Sequence, residues 1–300
     1  MKGSVTGPSA REPFDELMEK IPAADGVTYE EAEVGGVAGW WCRPNDAVAG
    51  AAILYFHGGA YVVGSARAYQ HFVGQVAARA KVAAFVPDYG LAPEHPFPAA
   101  VDEAQACYRG LVEKGFGKIA LAGDSAGGGL ALVLLSLLVA KGRDVSVLRP
   151  AGAAVMSPWT DLALSGMSME TRAEADPLLT EESLASTARL YLGGHDPRDP
   201  LASPLFGDLA VLPPVRMHVG EDEVLSIRYG ERIESQGGTV QIHTWQGMTH
   251  VFPSNVALLH AAKEALDDIG NFLRQQFVGD PDAAANLTSR SAASIEGSLR

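Results

Sequence analysis

"KIALAGDSAGGGLALVLLSLLVAKG", Lys118 to Gly142, begins as an apolar run of strand type and ends in an Ala- and Leu-rich run of helix type. Between them, Gly123-Asp124-Ser125-Ala126-Gly127 places a polar serine amid glycines, where a buried strand must turn into a buried helix. A G-x-S-x-G run at such a junction has the pattern of a nucleophile elbow. Its glycines permit the close backbone approach of a strained turn, and the turn lifts the hydroxyl above the sheet. A helix starting at Ala126 would aim its free N–H groups at the surroundings of Ser125 and favour negative charge there. Taken alone, the pentapeptide fits a phosphate-binding or merely packing turn equally well, although no GxxxxGK[ST] accompanies it.

Working outward, the strand and helix patterns alternate. "VTYEEAEV" and "GWWCRP" predict an early hairpin or pair of strands, and "AAILYFHGG" (Ala51–Gly59) a buried strand closed by glycines. "YQHFVGQVAARA" has helical spacing, "VAAFVPDY" is a second buried strand, and "AAVDEAQACYRGLVEKG" is a helix ending at Gly115 as its C′ residue. "PAGAAVMSP", "PVRMHVG" and "TVQIHTW" predict further strands. The last helix carries Leu258, Ala262, Leu266, Ile269 and Leu273 on one stripe. The alternation predicts an α/β fold, a mostly parallel sheet flanked by helices.

The alternation fails between Asp161 and Pro213, where one or two helices lack a partner strand. This predicts a single domain over 1–278 with a small helical cap from about 1–25 and 162–212, followed by a disordered tail over 279–300.

The chain of 300 residues is 47% hydrophobic and carries a formal charge of −13. That charge argues against nucleic acid and against stable association with an anionic membrane. Only Cys42 and Cys107 are present, with no CxxC, so a reduced cytoplasmic protein is expected. The first twenty residues have no apolar h-region, and the longest apolar run, Leu130 to Ala140, is too short to span a bilayer.

"FHGGAYVVGSA", Phe56 to Ala66, follows the first buried strand of the alternation. Loops of HGGG type supply backbone N–H groups to an oxyanion, and here Ala60 stands at the third glycine. Six runs then occur in order: HGGA, "DYGLAPEHPFPAA", GDSAGG, "SPWTDL", "HVGEDEVL" and "GMTHVF". Together they resemble the hormone-sensitive-lipase-like esterases of the α/β-hydrolase superfamily, in particular the bacterial esterase and lactone-hydrolase branch, over roughly Phe14 to Phe277.

The resemblance implies an α/β-hydrolase fold with Ser125 as nucleophile and His250 as general base and acid. It implies an oxyanion hole in the Gly58, Gly59, Ala60 loop and at Ala126, with the N–H groups of Gly59, Ala60 and Ala126 as donors. Its pattern puts the triad acid at Glu223, with Asp222 as the alternative, since either carboxylate can orient and stabilise the imidazolium. Asp222 also fits a cap for a helix starting near Val224. The family's usual arginine is replaced by Gly90, and the segment after Leu225 is a few residues short.

His57 fits a loop-pinning hydrogen bond better than a titrating base. His71, His218 and His243 fit core or half-buried positions. No HExxH and no Cys/His spacing predicts a metal site, and the chemistry needs no cofactor. The resemblance implies a carboxylesterase acting on short- to medium-chain acyl esters, with a small-molecule ester as partner and a homodimer as a possible assembly. A lactone hydrolase or a dedicated metabolite deacetylase fits the same residues. A non-catalytic small-molecule receptor on this fold is the alternative of another class.

Overall fold

The structure, a computed structural model, describes residues 2–141, 148–225 and 228–278; the tail expected over 279–300 lies outside the described residues. One eight-stranded sheet organises the chain. Strands β1 (Val27–Val34) and β2 (Val37–Pro44) form the expected antiparallel hairpin, and β2 pairs antiparallel with β4 (Ala83–Pro87). Strands β3 (Ala51–Phe56), β5 (Lys118–Asp124), β6 (Ala153–Met156), β7 (Val215–Gly220) and β8 (Val240–Trp245) continue in parallel. The spatial order is β1-β2-β4-β3-β5-β6-β7-β8.

Strand period decides which residue enters which layer. Along β3, Leu54 and Phe56 face one side, where α3 (Ala99–Glu113) and α4 (Ser125–Lys141) bring Leu111, Leu130 and Leu134. Ile53 and Tyr55 face the other, with Phe72 and Val76 of α2 (Ala66–Ala80) and Leu266 and Leu273 of α8 (His260–Val278). Every residue of β3 is therefore buried, as a central strand covered on both faces requires. Helix α4 is apolar around its whole circumference because it sits within the core. It begins at Ser125, one residue before the expected Ala126.

Gly115 terminates α3 as expected, with φ +89° and its N–H donating to Val112 O. The stripe on α8 needs one correction. Ala262, Leu266, Ile269 and Leu273 are buried, but Leu258 is 82% exposed. It precedes the helix start at His260, so the 3.6-residue period has no hold on it.

Between β6 and β7 lie α5 (Ser168–Thr171) and α6 (Glu181–Leu192), with no strand among the described residues of 162–212. Helix α6 is capped by Thr180 and Ser183 in a reciprocal box and closed by left-handed Gly193. The N-terminal segment meets this region through Gly3 N–H donating to Leu178 O. Helix α1 (Arg11–Met18) is fastened by Arg11, which donates to Val62 O, Ala92 O and the Glu94 carboxylate. Helix α7 (Arg228–Ser235) joins β7 to β8.

Candidate active site

Ser125 sits at the end of β5 with φ +50°, a left-handed conformation that a non-glycine residue adopts only under constraint. Its flanking glycines are required by proximity, not by torsion. A Cβ on Gly127 would lie 2.1 Å from Phe56 O, and one on Gly123 would lie 2.5 Å from Gly127 O. The elbow is thus pressed against the end of β3, and the serine stays partly accessible while its neighbours are buried.

Loop 57–64 packs beside it. Gly59, Ala60 and Tyr61 all have positive φ, at 112°, 54° and 62°. Tyr61 is fixed by face-to-face stacking on Tyr191 of α6, with centroids 3.8 Å apart. The N–H groups of Gly59 and Ala60 have no acceptor among the described residues. The Ala126 N–H lies in the first turn of α4, where no intrahelical acceptor exists. Among the described residues, these three N–H groups stand without a backbone acceptor.

Gly58 is different, and this corrects its inclusion among the oxyanion residues. Its N–H donates to Asp124 Oδ1 at 3.1 Å, which removes it from service to a substrate. A Cβ there would lie 2.2 Å from Asp124 Oδ2, so glycine is needed to admit the carboxylate.

His250 Nε2 lies 2.9 Å from Ser125 Oγ, and His250 Nδ1 lies 2.8 Å from Glu223 Oε2. Both distances suit hydrogen bonds. Glu223 is 3% exposed and also accepts the Gly220 N–H at 3.0 Å. Burial raises its pKa, while His250, Ser157 and the Gly220 N–H pull it back.

Asp222 contributes its backbone N–H to Met248 O, and its carboxylate has no hydrogen-bond partner among the described residues. Residues Glu223–Leu225 are not helical, so Asp222 does not cap a helix starting near Val224. The loops are cross-braced: Val251 N–H donates to Ser157 Oγ, and Ser157 N–H to His218 O.

His57 takes no part in this chain of contacts. Its Nδ1–H donates to Gly58 O at 2.7 Å, and its ring stacks on Tyr89. Burial pushes its pKa down to about 4, so it stays neutral. His218, His243 and Asp268 are the one group among the described residues whose ligand-type atoms converge, within 4.8 Å. Arg216 already fills the cation's place, donating to Asp268 Oδ1 at 2.6 Å and lying 3.3 Å from His243 Nε2. His218 accepts from Trp245 Nε1 at one nitrogen and donates to Asp268 at the other. These atoms are thus engaged in an Arg216-centred polar network, although Arg216 Nε itself is buried without a partner.

Two buried carboxylates near the site escaped the sequence reading. Asp124 accepts from Tyr55 OH (2.8 Å), Tyr69 OH (3.2 Å) and Gly58 N–H. Burial raises its pKa to about 6 despite those donors and the nearby His250. Asp176, between α5 and α6, is wholly buried and accepts the N–H of Val224. The donors that reach them from other elements, Tyr55 to Asp124 and Val224 to Asp176, are 69 and 48 residues away in sequence, and no local pattern encodes such contacts.

The family model for the alpha/beta hydrolase fold matches residues 53–254. The chain is 41% identical over 270 residues to an acetyl-hydrolase of Streptomyces hygroscopicus, covering 88% of this chain and 86% of that protein. It is 35% identical to an esterase of Acinetobacter venetianus, with 88% of each covered. The crystal structure of an esterase from the bacterial hormone-sensitive lipase family superposes with a TM-score of 0.83 at 38% identity, over 89% of this chain and 90% of the other.

Proposed function

The chain belongs to the hormone-sensitive-lipase-like esterases of the α/β-hydrolase superfamily, and from that premise we propose that it hydrolyses short- to medium-chain carboxylic esters through Ser125, His250 and Glu223. One observation carries the reading: an unbroken hydrogen-bonded chain from Ser125 Oγ through His250 to Glu223, beside three free N–H groups. Ser125 Oγ attacks the acyl carbonyl while His250 Nε2 takes its proton. The oxyanion forms against the N–H groups of Gly59, Ala60 and Ala126. His250 returns the proton to the departing alcohol, and water then attacks the acyl-serine by the same steps to release the acid. Glu223 holds the imidazole in the tautomer with hydrogen on Nδ1 and stabilises the imidazolium. No step calls for a cofactor or metal.

The short-chain preference is supported by the acetyl-hydrolase relative, which equally favours a deacetylase acting on one small metabolite. Residues 1–25 and 162–212 serve as a cap over this site, which sets the acyl limit. The receptor alternative is weakened by the presence of His250 in contact with Ser125.

Among the described residues no helix is long and apolar enough to cross a membrane. Two buried, unpaired cysteines support a reduced, cytoplasmic setting. The outer strand β8 offers an edge through which two copies can pair into a homodimer.

The test is hydrolysis of p-nitrophenyl esters from acetate to laurate by the wild type, Ser125→Ala and His250→Ala. Turnover that peaks on short chains and vanishes in both variants supports the reading. A folded wild type inactive on every ester overturns it and directs attention to lactones, a dedicated acetylated metabolite or ligand binding without turnover.

A further inference from the structure

Val224, the residue after Glu223, is held by two side chains from outside its own loop. Asp176 Oδ2 accepts its N–H at 2.9 Å, and Ser168 Oγ donates to its carbonyl at 2.6 Å. Ser168 opens α5 and Asp176 lies between α5 and α6, so both belong to the cap segment. Asp176 Oδ1 meanwhile accepts the N–H groups of Leu178 and Leu179 at 2.8 and 2.9 Å, which folds the cap's own turn. One wholly buried carboxylate thus organises a cap turn with one oxygen and grips the acid-bearing loop with the other.

A buried carboxylate is costly unless its acceptor sites are filled. Here they are filled in a way that asparagine cannot copy, because an amide accepts at only one of its two atoms. The turn alone needs only one oxygen. The second is accounted for by residue 224.

We infer that Asp176, assisted by Ser168, is a positioning residue for the triad acid, so that Glu223 is aligned with His250 only while the cap is seated. The inference rests on Glu223 acting as the triad acid. It makes the cap part of the catalytic assembly, in addition to a boundary of the substrate site. A ligand bulky enough to lift the 168–176 segment lowers turnover by releasing Glu223, even when its ester bond reaches Ser125.

The test is a double-mutant cycle on the full chain, with p-nitrophenyl acetate as probe and circular dichroism to confirm folding. Asp176→Asn is expected to lower kcat by about 10- to 100-fold, since a small misplacement from outside the reacting centre can cost about that much. KM is expected to change by less than about threefold. Ser168→Ala acts in the same direction with a smaller effect.

In a Glu223→Ala background, Asp176→Asn and Ser168→Ala should change kcat by less than about twofold. Losses that multiply in the double variants overturn the inference while leaving Glu223 as the acid. So does a raised KM with kcat intact. A Glu223→Ala variant with wild-type kcat instead overturns the acid assignment, and the inference with it. Should Asp176→Asn fail to fold, the Ser168→Ala arm of the cycle decides.

Discussion

Ser125 and loop 57–64 lie over the middle of the sheet, between β3 and β5, whereas Glu223 and His250 follow β7 and β8 at its outer edge. The first half is held by backbone: left-handed torsions at Ser125, Ala60 and Tyr61, and glycines on which a Cβ would lie within 2.5 Å of a carbonyl oxygen. The second half is held by side chains: Glu223 on the Gly220 N–H, Ser157 on the Val251 N–H, Asp176 on the Val224 N–H. A backbone-built site leaves short, local motifs in the sequence. A side-chain-built one is assembled from residues scattered along the chain.

That contrast can be tested by how unequally the two halves respond. Ser125→Ala should lower kcat on p-nitrophenyl acetate by about 10⁶-fold, and Glu223→Ala by only about 10⁴-fold, because in the proposed triad the acid acts through the histidine. Equal losses would remove the distinction. Within the backbone-built half, Gly58→Ala should cost about 10²- to 10³-fold in kcat, the scale of a lost oxyanion donor. Its Cβ would strike Asp124 and displace the loop that carries the Gly59 and Ala60 N–H groups. A rise in KM alone would show that the loop tolerates the methyl group.

Asp124→Asn sharpens the comparison through stability. Asp124 has its pKa raised from 3.8 to about 6 in the folded protein. Between those values the native state keeps a proton that the unfolded chain has released, so stability falls as pH rises through that window. The penalty is absent below the lower value and full above the upper one. The asparagine variant lacks the charge. Its melting temperature should gain on that of the wild type as pH rises from 4 to above 6, from an offset set by the acceptor lost opposite Tyr69. Melting curves across pH 4 to 8 decide this, and an unchanged difference at both ends would mean that the carboxylate's titration does not govern stability. The smallest effect belongs to Asp222→Ala, whose carboxylate has no hydrogen-bond partner among the described residues. Its kcat should stay within about twofold of the wild type. A loss rivalling that of Glu223→Ala would exchange the two assignments.

The alternation of apolar strand and helix patterns fixed the fold class, since a chain of βα units closes well only as a covered parallel sheet. GDSAG and HGGA were legible for a related reason: a turn that presses backbone on backbone tolerates so few residue types that the composition records the geometry. His250 was legible through the run around it. The choice between Glu223 and Asp222 was not, because neighbouring residues on a loop point in different directions, and only the packing of β7 against β8 sets which of them faces His250. Gly58 reads as a donor in its motif, yet its N–H is taken by Asp124, and Tyr55 and Tyr69 fill the other sites on that carboxylate from β3 and α2. Leu258 fits the helical period and still lies in water, because the helix begins after it. The sequence by itself determined the sheet, the elbow and the serine, where local sterics leave little choice. The contact of Glu223 with His250, the setting of buried Asp124 and the grip of Asp176 on Val224 were decided by the tertiary structure, because each needs a partner from a distant element that only folding brings to it.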